Sequence, residues 1–142
     1  MIDAETTCSD KSPKRGRLED LFEEMVSIPQ LVANRNFSLE VVMIRAEETR
    51  QYQAKRRRRT GEWAVGARRL VDVVDQRLFT EPADWRTFLP TGLSAFTTKE
   101  LATATNTCIH LARKIAYCLR HGGLIELSGR DGKANRYRVV HQ

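Results

Sequence analysis

Apolar residues first acquire a period at Leu18: Leu18, Leu21, Phe22, Met25 and Val26 recur at helical spacing and stop before Pro29. That spacing predicts a helix over about 17–27. Phe37, Leu39, Val41 and Met43 then alternate within a branched, bulky stretch, which predicts a strand over 37–45. A helix continuing through Glu47, Glu48 and Arg50 is the lesser reading. Trp63, Ala67, Leu70, Val71, Val74 and Leu78 form a stripe three and four residues apart, with charged residues between, and predict a helix over 63–79. Glu81-Pro82 ends it, Pro82 opens a short helical turn through Leu89, and Pro90-Thr91-Gly92 turns again. Residues 1–16 carry no period and are expected to form a disordered tail.

The clearest pattern lies near the C-terminus. Thr97-Thr98-Lys99-Glu100 has the order of a capping box, so a short helix is expected over 98–104. Thr105-Asn106-Thr107 supplies a polar turn, and Cys108 to His121 reads as a second helix closed by Gly122-Gly123. Projected at about 100° per residue, Cys108, Ile109, Leu111, Ala112, Ile115, Ala116, Cys118 and Leu119 take one side. Thr107, His110, Arg113, Lys114, Tyr117, Arg120 and His121 take the other, with no carboxylate among them. A solvated face usually mixes both signs of charge, so this absence is informative. Leu124–Ser128 and Ala134–Val140 read as strands around a tip at 129–133.

With 142 residues and a net charge of +6, the chain is sized for one domain or slightly more and favours an acidic partner. The excess is local. Residues 1–44 carry −3, 45–62 carry +4, 63–106 balance, and 107–142 carry +5. Lys55, Arg56, Arg57, Arg58 and Arg59 form one uninterrupted run, read either as a solvated loop or as a grip on phosphates. No apolar run reaches the length of a membrane span and no signal segment opens the chain, so a cytoplasmic, nucleoid-associated protein without membrane contact is expected. Cys8, Cys108 and Cys118 are too scattered for a disulfide frame or a metal site, and Cys108 and Cys118 are expected in the core. Trp63 and Trp85 read as core anchors. Pro13-Lys14-Arg15-Gly16-Arg17 reads as a charged linker, and as the lesser reading resembles half of an AT-hook, the arm that lies in a narrow minor groove, without its trailing proline.

The order helix, helix, tight turn, helix and basic hairpin, with Thr-Thr-Lys-Glu-Leu-Ala opening the second helix and Leu-Arg-His-Gly-Gly-Leu-Ile leaving the third, resembles the winged helix-turn-helix superfamily over residues 63–141. The connection of 18 residues between the first two helices is longer than that pattern needs. The fold class expected is therefore mainly α with a small β-hairpin wing, preceded by an extension over 17–62 holding a helix, a strand and the basic loop. The resemblance implies a third helix in the major groove, with Asn106, Thr107, His110, Arg113, Lys114 and Tyr117 facing the bases. Lys55 to Arg59 with Arg130, Lys133, Arg136 and Arg138 would hold phosphates.

No phosphate-cradling glycine loop, nucleophile elbow, metal-spaced histidines or Glu-x-Lys pair is present, and Asp131-Gly132-Lys133 reads as turn chemistry. The expectation is a non-enzymatic protein without cofactor or metal, binding double-stranded DNA as a transcriptional regulator, with a homodimer matching a palindromic site. The alternatives are a module docking an acidic protein within a nucleic-acid-processing complex, and an RNA-binding module.

Overall fold

The computed structural model describes residues 15–52 and 63–141. A 3-10 turn at Leu18–Leu21 runs into the short helix α1, Phe22–Met25, and a second 3-10 turn follows at Pro29–Ala33. Two long strands, β1 (Leu39–Tyr52) and β2 (Trp63–Phe79), precede a 3-10 helix at Pro82–Phe88. Then come β3 (Ala95–Thr97), α2 (Thr98–Thr105), α3 (Ile109–His121), β4 (Ile125–Asp131) and β5 (Ala134–Val139). β1 and β2 form an antiparallel ribbon, and the other three strands form an antiparallel sheet in the order β3-β5-β4.

Strands therefore hold as much of the described chain as helices do, and the fold is α+β with two antiparallel sheets, not mainly α. The error lies in residues 63–79, which are strand β2 and not a helix. Three register shifts along the ribbon leave Val74, Val71 and Gly66 of β2 without a partner on β1. Each such bulge inserts one residue, and the stripe read as helical mixes the register positions of Trp63, Leu70 and Leu78 on one side of β2, that of Ala67 on the other, and the bulged Val71 and Val74. The place beside α3 expected for that helix is taken by α1 and the 3-10 turn at Pro29–Ala33. β1 extends well beyond the strand expected over 37–45, and it pairs with β2 from Leu39–Phe79 to Tyr52–Trp63, so that the extension expected over 17–62 shares a ribbon with residues expected in the following domain.

Two groups of side chains make the core. Leu111, Ala112, Ile115, Ala116, Cys118 and Leu119 bury one side of α3. An aromatic cluster joins distant segments: Phe22 meets Phe88 edge-on at 4.8 Å and Trp85 at 5.9 Å between ring centroids, and Phe79 stacks on Trp85 at 4.7 Å. Such pairs add to the area they bury, so this cluster fixes α1, the base of the ribbon and the Pro82–Phe88 helix together. The expectation for Trp85 as a core residue agrees with its 2% exposure. Cys118 is buried, which pushes its thiol up to about 11. Cys108 is exposed, contrary to expectation, because it is the N-cap of α3: its Sγ accepts the Leu111 N–H at 3.4 Å, and helical geometry starts one residue later.

The exit of α3 needs a residue without a side chain. A Cβ on Gly122 would lie 2.5 Å from Cγ1 of Val32, so its glycine allows the Pro29–Ala33 turn to close against the helix end. Among the described residues no helix is long and apolar enough to cross a membrane.

Candidate nucleic-acid interface

α2 is placed by its capping box. The Thr97 N–H donates to a Glu100 carboxylate oxygen at 2.6 Å, and the Glu100 N–H donates to Thr97 Oγ1 at 3.3 Å. The first of these bonds is the main reason that the Glu100 carboxyl is held below its ordinary value of 4.5. Asp84 is lowered in the same way by the N–H groups of Glu81 and Thr80. A group depressed in the folded state stabilises it above the ordinary pKa and stops doing so as pH falls through the folded value. The melting temperature should therefore drop on acidification below pH 4.5. In Glu100→Gln it should start lower at neutral pH and fall less steeply, so that the two curves approach each other in acid; parallel curves would contradict the assignment.

α2 ends at Asn106, which adopts left-handed geometry (φ 51°, ψ 46°) and lets the chain turn at once into α3. Arg17 braces that turn from the far end of the sequence. Its guanidinium donates to the carbonyls of Thr105, at 2.7 Å, and Asn106, and it pairs with Glu19 at 3.5 Å. It thus neutralises the negative end of α2, and the lesser reading of 13–17 as half an AT-hook loses its last arginine, which is bound to its own protein and not presented by a free arm. Pro13 and Lys14 lie outside the described residues.

On α3 the polar residues recur three and four apart. His110, Arg113, Tyr117 and Arg120 are exposed, and Thr107 is half-buried with its hydroxyl 2.8 Å from that of Thr105. Tyr117 and His121 lie ring to ring at 4.4 Å. No carboxylate occurs in the chain between Glu100 and Glu126. Ile109, expected on the apolar side, is 42% exposed beside this ridge. Lys114 lies at the ridge's flank, where its ammonium is paired with Glu23 of α1. That ion pair closes the packing of α1 on α3 and removes Lys114 from the free cations.

α3 leads through Gly122 and Gly123 into β4 and the hairpin. Gly132 (φ 60°) makes its tip, and a bulge at Leu127/Gly129 shifts its register. Arg130, Lys133 and Arg136 are exposed, and Arg136, paired across the sheet with Thr97, adds to the field that lowers Glu100. Arg138 donates from two of its nitrogens to Glu126 on the neighbouring strand, so its charge is already matched. Lys55 to Arg59 lie outside the described residues.

The structure thus brings together Asn106, Thr107, His110, Arg113 and Tyr117 on α3 and its entry, places Arg130, Lys133 and Arg136 on the hairpin that follows, and ties Lys114 and Arg138 to carboxylates. Arg120 belongs to the same exposed ridge, a membership already readable from its spacing. Among the described residues no three His, Cys, Asp or Glu side chains converge to hold a metal ion, and every buried side-chain polar atom has a partner.

The family described as "Domain of unknown function (DUF8091)" matches residues 2–80, more than half of the chain. No curated protein matches, and no solved structure matches. The matched residues contain α1, the whole ribbon and two aromatics of the core cluster, Phe22 and Phe79, and stop before β3, α2, α3 and the hairpin.

Proposed function

The chain belongs to the DUF8091 family, a domain of unknown function, which assigns no activity to the surface just described, and we propose that this surface binds double-stranded DNA, with α3 in the major groove and the β4–β5 hairpin on the backbone. One observation carries the reading: an exposed helical ridge holding His110, Arg113, Tyr117 and Arg120, free of carboxylates, continues directly into a hairpin holding Arg130, Lys133 and Arg136. Arginine and asparagine can pair bidentately with base edges, whereas the hairpin cations fix register on phosphates. The winged helix-turn-helix resemblance over 63–141 loses its first helix, which is strand β2; what it lends the reading is only the helix, tight turn, helix and hairpin of residues 98–139. The role is that of a regulator located with the nucleoid, without a reaction of its own.

Salt decides the matter. Binding to a mixed-sequence duplex should weaken log-linearly with salt concentration, with a slope of about −0.9 for each phosphate neutralised. Fluorescence anisotropy on a labelled duplex, with structured RNA as competitor, reads both the slope and the preference. Absence of binding at low salt would favour docking to an acidic protein, and RNA outcompeting the duplex would replace DNA as the ligand.

A further inference from the structure

We infer that two copies of this chain associate face to face through the outward side of the β1–β2 ribbon, antiparallel, about a two-fold axis at the Ile44–Val73 pair. This goes beyond the reading of α3 and does not depend on it. At the base of the ribbon, Leu39, Val41 and Phe79 share one side and pack into the core. The opposite side turns away from the body. There the cross-strand register sets Val42, Ile44, Ala46, Leu70 and Val73 in one strip, with Leu78 beyond the hydrogen-bonded Glu40 and Gln76. Its larger members and Leu78 are 44% to 61% exposed.

A two-stranded ribbon is at best marginally stable alone in water. Its strip leaves on the order of 500 Å² of apolar surface uncovered, the upper range of what a monomer exposes. Two copies meeting there would hide about 1,000 Å², the least that a specific interface clears.

Charge selects the second copy as the occupant and fixes its direction. Glu40 stands on this side four residues from Ile44 toward the base, and among the described residues it meets no cation, only the Gln76 amide. Four residues from Ile44 toward the tip stands Glu48, which accepts from Arg50 and Arg68, each at 3.1 Å. That trio carries one positive charge in excess. A two-fold axis across the strands at Ile44–Val73 sets each Glu40 opposite the other copy's Glu48 with Arg50 and Arg68 beside it, so its charge meets a trio that is positive on balance and the strip is complementary to itself. A two-fold axis along the strands would instead exchange β1 and β2 and set Glu40 against the other copy's Leu78, leaving its charge unmatched.

Sedimentation velocity on the full chain across micromolar concentrations tests this. The expected species is a dimer. Val73→Asp should raise its dissociation constant roughly 100-fold or more, by burying a charge at the centre of the interface. Glu40→Lys lies on the rim; it should raise the constant about tenfold and keep the protein folded, so it decides the matter should Val73→Asp unfold the ribbon. A wild-type monomer would overturn the inference, whether the strip is then covered by the chain's own N-terminal residues or by another protein. So would a dimer indifferent to both substitutions.

Discussion

Phe22→Ala should cost about 3–5 kcal/mol of unfolding free energy, a large share of what a domain of this size possesses. Phe22 is completely buried and holds Phe88 and Trp85 by its edge and face. Its helix has four residues, too few to persist without tertiary contacts, so removing the ring takes away what anchors the segment. Glu23, the next residue, would then lose its position against Lys114. Urea unfolding monitored by tryptophan fluorescence reads the effect through Trp85 in the same cluster. A loss below about 1 kcal/mol would mean that the N-terminal segment contributes little to the core.

Arg113→Ala should weaken duplex binding by about 1–3 kcal/mol, the effect of removing one good contact to a base or phosphate. Lys114→Ala and Arg138→Ala are the informative companions. Neighbours in sequence or in charge, they are matched to Glu23 and Glu126, whereas no ion pair forms at Arg113 among the described residues. Their losses of affinity should be the smaller ones, and Lys114→Ala should act mainly on thermal stability. Anisotropy titrations at one salt concentration, run beside melting curves, separate the two effects. Equal losses from all three variants would mean that the cations act as an undifferentiated field, not through a ridge on α3.

The C-terminal half was legible because its signals are local. Thr97 and Glu100 are three residues apart, Gly122 follows the last helical turn, and most of the sidedness of α3 needs no knowledge of distant residues, although by spacing alone its N-cap Cys108 and the exposed Ile109 read as apolar side. The ribbon was not legible, because its bulges displace same-side residues from a period of two to intervals of three, and only pairing with β1 reveals the strand. β3, three residues long, offers too few positions for any period. Within the candidate site the residue types on α3 were readable, but which cations are free was not. Lys114 is spent on a carboxylate 91 residues away and Arg17 on a carbonyl 89 residues away, distances over which periodicity carries no information.

The unequal lengths of the two ribbon strands also bear on how such a chain can change over time. β2 has 17 residues where β1 has 14, and the surplus is confined to Val74, Val71 and Gly66. Losing a residue elsewhere in β2 would rotate every side chain beyond it to the wrong side, but losing one of these three leaves all the cross-strand partners in place. The ribbon therefore carries three points at which its length is free to drift, and a lineage could shorten or re-aim it by single codons without rebuilding the surface it displays.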